Sequence, residues 1–109
     1  MSTNEEREAE LVAAYEAELA QLLQGFAANL RRLRPVSQGD LASAANLHRT
    51  ELGKLEGGRS NPNLHTLLIL ADTLHVTLDE LVQGLLVPRE RKPSAKAFRI
   101  ARAMNQAAR

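Results

Sequence analysis

The chain has 109 residues, enough for one domain with a modest core, and it contains no cysteine. The lack of cysteine excludes disulfides, thiolate metal sites and thiol nucleophiles, and the aromatic content of 3% means that the core must be aliphatic. The net charge of +1 conceals a segregation: six of the seven charged residues before Gly25 are glutamates, whereas seven of the eight after Pro88 are basic.

The beginning of the chain lacks the pattern of an export signal. The segment MSTNEEREAE is acidic, whereas a signal peptide opens with basic residues followed by an apolar run. No apolar run elsewhere reaches the roughly 20 residues that span a bilayer. We therefore expect a cytoplasmic protein without a membrane partner.

The segment 5–34 is predicted to form one long helix. It contains no proline, and its apolar residues recur at steps of 4, 4, 3, 4, 4 and 3: Leu11, Tyr15, Leu19, Leu22, Phe26, Leu30 and Leu33. This pattern repeats every eleven residues, close to the natural period of a straight helix, and it continues through Gly25. The first half overhangs the domain, so its stripe requires a cover from a partner subunit, from the C-terminal segment or from its own domain.

The segment 37–56 is predicted to form two short helices joined by a tight turn. The apolar or small residues that bury the shared seam are Leu41, Ala42, Ala45, Leu47, Leu52 and Leu55. Ser37, with Asp40 three residues later, is a candidate N-cap for the first helix. Asn46 lies where the chain reverses, and asparagine tolerates a positive φ better than most residues.

The second of these helices presents a cationic outer face. Because Leu52 and Leu55 point inward, the outer residues are His48, Arg49, Thr50, Gly53 and Lys54. A helix fits the major groove of B-DNA, where arginine or lysine donates to guanine and a threonine methyl touches thymine. Glu51, beside this face, is placed either to accept from cytosine N4 or to pair with Lys54.

Two more helices are predicted after a loop at 57–63. Asn61 or Asn63 caps the first of them, and its expected buried face consists of Leu64, Leu67, Leu68, Ala71 and Leu74. Thr77 and Glu80 form a capping box that opens a short helix continuing to Leu85.

The end of the chain is basic. Residues 88–93, with proline at both ends, are predicted to form an exposed linker. Residues 94–108 are predicted to form a helix with apolar and basic residues interleaved. Three roles remain open for this helix: a clasp on the acidic N-terminal helix, an arm that contacts phosphates, and a solvated tail.

These segments together resemble the lambda-repressor-like, Xre/Cro-type helix-turn-helix regulators. The resemblance runs from about Phe26 to Leu85 and is carried by five segments in order: FAANLRRLR, SQGDLA, LHRTELGKLEGG, NPNLHTLLILADTL and HVTLDEL. It implies an all-α, five-helix DNA-binding domain, which we place at 25–87. An acidic helical extension at 1–24, continuous with the first helix, precedes this domain, and a basic linker and extra C-terminal helix at 88–109 follow it.

The resemblance also implies roles for single residues. The residues that would face base edges are His48, Arg49, Thr50 and Lys54. Those that would contact DNA phosphates are Gln38, Arg59 and Asn61. Arg34 and Glu56 would form a structural ion pair that ties the first helix to the reading helix. Gly57 and Gly58 replace a more commonly basic pair, which removes one potential phosphate contact.

No pattern in the sequence indicates catalysis or metal binding. His48, His65 and His75 are scattered over three elements, with no spacing that would place metal ligands on one face. No glycine-rich phosphate loop follows a strand, and the carboxylates fall on solvated faces. We expect neither enzyme activity nor a cofactor.

The hypothesis is a small bacterial or phage transcriptional regulator that binds double-stranded DNA as a homodimer. Two reading helices about 34 Å apart would meet a palindromic operator, and repression is the most common outcome for this family. Alternatives of the same fold are an antitoxin and a restriction–modification controller, which the LHRTE segment also resembles. A different alternative is a protein-interaction module in which the terminal helices bind a protein partner. We expect the regulator in the cytoplasm, on the nucleoid when it is bound to DNA.

Overall fold

The computed structural model describes residues 3–88 and 95–107, and all regular structure within these ranges is helical. The helices are α1 (Asn4–Leu33), α2 (Gln38–Ala45), α3 (Arg49–Glu56), α4 (Leu64–Leu74), α5 (Leu78–Leu81) and α6 (Ala95–Ala107). This architecture confirms the predicted all-α fold, in which a five-helix domain carries an extended first helix and an extra C-terminal helix. The described residues include no helix both long and apolar enough to cross a bilayer.

Helix α1 runs for 30 residues without a break. A capping box fixes its start, because the Glu6 backbone N–H donates to Thr3 Oγ1 at 3.1 Å and the Thr3 N–H donates to Glu6 Oε2 at 3.2 Å. The helix passes straight through Gly25, where a Cβ would stand 2.6 Å from Leu85 Cδ2. Glycine therefore serves at this position to let Leu85 approach the backbone of α1.

The core is aliphatic, as the composition requires. It lies where the second half of α1 packs with α2, α3, α4 and α5, and its largest fully buried side chains are Leu30, Leu41, Leu52, Leu55, Leu70 and Leu81. Phe26 is the one aromatic residue among the buried residues that the structure describes. Burying six leucine side chains provides the main driving force for folding, about 2 kcal/mol for each.

The buried face of α4 differs from the predicted one. Leu64 and Leu68 are 65% and 48% exposed, whereas Thr66 and Leu70 are buried. That part of the prediction is wrong because LHTLLIL contains more aliphatic residues than one helix face holds, so the pattern does not fix the rotation of the helix. Asn63 caps this helix, and its Oδ1 accepts the Thr66 N–H at 2.8 Å.

Helix α5 is shorter than predicted. The Thr77–Glu80 capping box is present, but the helix ends at Leu81, and Gly84 has a φ of +77° that a continuing helix does not permit. Asn29 Nδ2 donates to the carbonyls of Leu81 and Gln83 at 3.0 and 2.9 Å. A side chain of α1 thereby takes the carbonyls that another helical turn would have used.

The C-terminal helix predicted at 94–108 is present as α6. The predicted linker at 88–93 lies, beyond Pro88, outside the described residues.

Candidate nucleic-acid interface

Helices α2 and α3 are joined by a tight turn built from local hydrogen bonds. Ser37 Oγ accepts the Asp40 N–H at 3.0 Å at the start of α2. Asn46 ends α2 in the left-handed region, with φ of 55°, and its N–H donates to the carbonyls of Ala42 and Ser43. The Leu47 N–H donates to the Ala42 carbonyl at 2.9 Å, and the Leu47 side chain packs against the core. Both predicted turn features, the Ser37 cap and the positive φ of Asn46, are confirmed.

The outer face of α3 is polar and cationic. Leu52 and Leu55 are fully buried, which leaves His48, Arg49, Thr50 and Lys54 exposed and Glu51 and Gly53 half-buried. His48 is the N-cap of α3, but its side chain makes no capping hydrogen bond. The first backbone N–H groups of a helix point along its axis and favour an anion such as phosphate. The amino end of α3 can therefore offer backbone N–H groups and the cationic side chain of Arg49 to the same ligand.

The carboxyl end of α3 is held by a buried carboxylate. Glu56 is 4% exposed, and Arg34 at the end of α1 binds it with two hydrogen bonds, Nε to Oε2 at 2.7 Å and Nη2 to Oε1 at 3.0 Å. Gln38 Nε2 donates to the same Oε1 at 3.3 Å. The ion pair implied by the resemblance is thus present, and it links α1, α2 and α3 at one point.

Two further side chains of α1 bind the backbone at the same end of α3. Arg31 Nη1 donates to the Glu56 carbonyl, and Gln24 Nε2 donates to the Gly57 carbonyl at 3.2 Å. Gly58 follows with φ of +70° and lies so close to Gln24 that a Cβ would stand 2.5 Å from its Nε2. Gln24 and Gly57 are 33 residues apart, and Arg31 and Glu56 are 25 residues apart. Partners this distant leave no local pattern in the sequence, so the sequence did not predict these two contacts.

The structure separates the residues that the resemblance assigns to DNA phosphates. Gln38 is half-buried at the first position of α2, with its amide nitrogen on Glu56. Arg59 is exposed beyond α3, and its N–H donates to the Lys54 carbonyl at 2.9 Å. Asn61 is exposed further along the same loop and lines a cleft beside α1. The exposed Arg59 and Asn61 therefore extend from the carboxyl end of α3, opposite to the end where Arg49 begins the helix.

The described residues offer no alternative chemistry at this surface. They contain no group of three or more histidine, aspartate or glutamate side chains placed to hold a metal ion. Every buried side-chain nitrogen or oxygen in the described part of the chain has a hydrogen-bond partner. The side chains that the outer face of α3 exposes are hydrogen-bonding or charged.

The comparisons with known proteins agree with this geometry. A helix-turn-helix family model matches residues 28–81. The HTH-type transcriptional regulator DdrOP3 of Deinococcus deserti is 41% identical over 56 residues, which are 51% of this chain and 43% of that protein. The control protein C.SmaI of Serratia marcescens is 34% identical over 70 residues, which are 62% of this chain and 83% of that protein. The aligned part of this chain thus spans less than half of the Deinococcus regulator but most of the control protein. No solved structure matches the chain significantly.

Proposed function

Since the chain belongs to the helix-turn-helix family of DNA-binding transcriptional regulators, we propose that it is a homodimeric repressor that reads a palindromic operator through residues 48–56. The observation that carries the proposal is the exposed outer face of α3, on which His48, Arg49 and Thr50 lie at the amino end of the helix and Lys54 lies in its last turn. The carboxyl end of α3 is held by Gln24 and Arg31 of α1 and by Arg34, which directly follows α1. A helix fixed at one end and exposed along one face suits insertion into the major groove.

The proposed contacts divide into two kinds. Arg49 and Lys54 donate to guanine O6 and N7, Thr50 contacts a thymine methyl, and His48 reads a base edge at the start of the helix. Gln38, Arg59 and Asn61 contact phosphates, which fixes the register of the protein on the duplex without reading its sequence. One short helix makes few base contacts, each worth about 1–3 kcal/mol of discrimination, so two copies on a symmetric site are required for a specific complex.

A second candidate function follows from the likeness to the control protein. That likeness covers 83% of the control protein, so this chain and that protein share most of one domain. A controller of a restriction–modification system would use the same surface, with its operator beside the gene of the protein itself. The two candidates differ in the genes that they control, not in how they bind DNA.

The test is selection of bound sequences from a pool of random duplexes at near-physiological salt. We expect enrichment of a palindrome with half-sites about one helical turn apart. An enriched site upstream of the gene for this protein and an adjacent nuclease gene would favour the controller. Weak binding that depends on salt, with no sequence enriched, would contradict the proposal. A protein-interaction module would then become the better hypothesis, and a partner pull-down would follow.

A further inference from the structure

The first half of α1 carries an apolar stripe that the single chain leaves uncovered. Every side chain from Thr3 to Ala14 is exposed, including Leu11 and Val12 at 40% and 54%. The stripe continues along the helix through Tyr15 and Leu19, which are half-buried. Helices in water gain most of their stability by packing such a face against another element. The length and pattern of this segment therefore call for a partner surface.

The stripe ends in an open apolar cleft. The cleft has a volume of about 130 Å³, and its apolar lining includes Leu22, Leu23 and Phe26 of α1 together with Leu67, Val82 and Leu85. This volume approaches that of engineered protein cavities, about 150 Å³, that hold a benzene molecule. One apolar side chain from a docked helix can therefore enter the cleft while the rest of that helix lies along the stripe.

Helix α6 has a matching apolar face, which is also uncovered. Ile100 and Met104 lie one helical turn apart and are 51% and 68% exposed, and Ala101 lies between them on the same side. All described side chains from Arg99 to Ala107 are exposed. Although α6 belongs to the same chain as the stripe on α1, the single chain leaves both apolar faces open to solvent.

The two helices also carry opposite charges. The first 22 residues contain six glutamates and one arginine, whereas α6 contains one lysine, two arginines and no acidic residue. Glu8 and Glu16 lie next to the stripe, each three residues before Leu11 or Leu19. Long basic side chains can extend from the flanks of an apolar helix face toward such carboxylates. Charge complementarity therefore favours α6 as the element that covers the stripe.

From these observations we infer that α6 of one copy packs along the first half of α1 of a second copy, and that the two copies make this contact reciprocally. The inference rests on the homodimer proposed above and assigns its interface. A second copy is the occupant because, within the described residues of one chain, Leu11, Ile100 and Met104 all stay exposed, whereas two copies cover both pairs of faces at once. The interface uses the first half of α1, the cleft at its end and α6, and it includes no residue of the outer face of α3, so it leaves that face free for DNA.

The first measurement is the mass of the full-length protein in solution by sedimentation equilibrium. The substitutions Ile100→Asp and Met104→Asp, made together, place two charges on the apolar face of α6, and we expect a monomer. The matched control, Asn105→Asp with Gln106→Asp, adds the same charge on the side of α6 that faces away from Ile100 and Met104, and it should leave the dimer intact. A dimer that survives the first pair, or a control that is equally monomeric, would overturn the inference.

Cross-linking identifies the contact directly, because the chain has no native cysteine. Cysteine is introduced at Leu11 or Tyr15 in a tagged copy and at Ile100 or Met104 in an untagged copy, and the mixture is treated with a bismaleimide. We expect cross-links between tagged and untagged copies. A further variant carries both cysteines in one chain. This interface would be excluded if cross-links formed only within that chain, or if no pair of positions gave a cross-link.

A third measurement separates this inference from the proposed function. The pair Ile100→Asp and Met104→Asp should bind a duplex with one half-site as tightly as the unaltered protein, while affinity for the full palindrome falls at least tenfold. Cross-links between copies in a protein that binds no DNA would keep the interface and remove the proposed function. Specific DNA binding by a protein that forms no such cross-links would support the proposed function and exclude the interface.

Discussion

Arg49 and Arg59 are both exposed cations on the α3 side of the molecule, but their settings predict different effects on DNA binding. Arg49 is the first residue of the reading helix, whereas Arg59 lies in the loop beyond Gly57. We expect Arg49→Ala to reduce discrimination between the selected site and mismatched sites. We expect Arg59→Ala to weaken binding to all duplexes about equally and to lower the slope of log affinity against log salt by about one.

Affinities for the selected site and for a mismatched site, measured over a range of salt concentrations, check this pair. The two variants serve as controls for each other because each removes one positive charge. If both left the affinity and the salt slope unchanged, the outer face of α3 would not be the DNA surface.

Gly53 provides a second residue-level prediction, because stability and DNA binding should change in opposite directions. A Cβ at this position would lie 3.8 Å from Gln38 Oε1, an ordinary contact, so alanine fits the folded chain. We expect Gly53→Ala to raise the free energy of unfolding by about 0.8 kcal/mol through helix propensity. We also expect weaker binding to the selected duplex, because the added methyl holds the backbone of α3 further from the groove.

Chemical denaturation and DNA titration on the same Gly53→Ala preparation give both values. The control is Ala44→Gly on the exposed side of α2, where helix propensity alone should lower stability. A stabilised variant with unaltered DNA affinity would place Gly53 outside the contact.

The sequence predicted those residue-level features that depend on near neighbours. Ser37 with Asp40, Asn46 at the chain reversal and Thr77 with Glu80 each act within three or four residues, so their chemistry is visible in a short window. The hydrogen bonds of Gln24 and Arg31 join residues that meet only after folding. No short window contains them, and they were not predicted.

Between elements, the junction of α1 with α3 depends on the buried Glu56. Removing the guanidinium by Arg34→Ala leaves that carboxylate buried without its cation, because its side chain is 3% exposed. We expect the free energy of unfolding to fall by about 3 kcal/mol. The comparison variant is Arg32→Ala, which removes an exposed arginine two residues earlier and should change stability by less than about 0.5 kcal/mol.

Urea denaturation followed by circular dichroism measures both arginine variants. Equal losses for the two would mean that α1 and α3 are held together mainly by apolar packing. Because Glu56 ends α3, the helix proposed to read the operator, Arg34→Ala should also weaken binding to the selected duplex, whereas Arg32→Ala should not.

The prediction of elements was better for their presence than for their orientation. Helices α1 to α4 occur where the apolar spacing and caps placed them, and the helix at 94–108 is present as α6. The buried face of α4 and the end of α5 were wrong. Both are decided by contacts with other elements, such as the hydrogen bonds of Asn29 to the carbonyls of Leu81 and Gln83.

At the scale of the whole molecule, the geometry predicts a fixed distance between half-sites. Helix α1 is continuous from Asn4 to Leu33, and Gln24 and Arg31 of this helix, together with Arg34 after its end, hold α3. We expect that inserting about five base pairs, half a helical turn, between the selected half-sites reduces affinity to that of a single half-site. Inserting about ten base pairs should have the same effect, because the two reciprocal contacts of α6 with α1 hold the domains of the proposed dimer at one separation.

Electrophoretic mobility shifts with the three spacings check this prediction, and the unaltered palindrome is the reference. Full affinity after the ten-base-pair insertion would show that a flexible connection joins the two DNA-binding domains.

The sequence alone predicted the long helix from its apolar stripe, but it did not predict what covers the first half of that helix. Periodicity shows that a helix face is apolar, but it does not show which element packs against that face.

Because α1 is unbroken, a change in the direction of its first half also moves α3. From Leu11 to Arg31 its axis spans about 30 Å. In the proposed dimer, a tilt of about 6° between the two copies displaces each α3 by about 3 Å, close to the rise of one base pair. The preferred spacer of the operator can therefore change through substitutions in the first 22 residues, without any change in a residue that touches DNA.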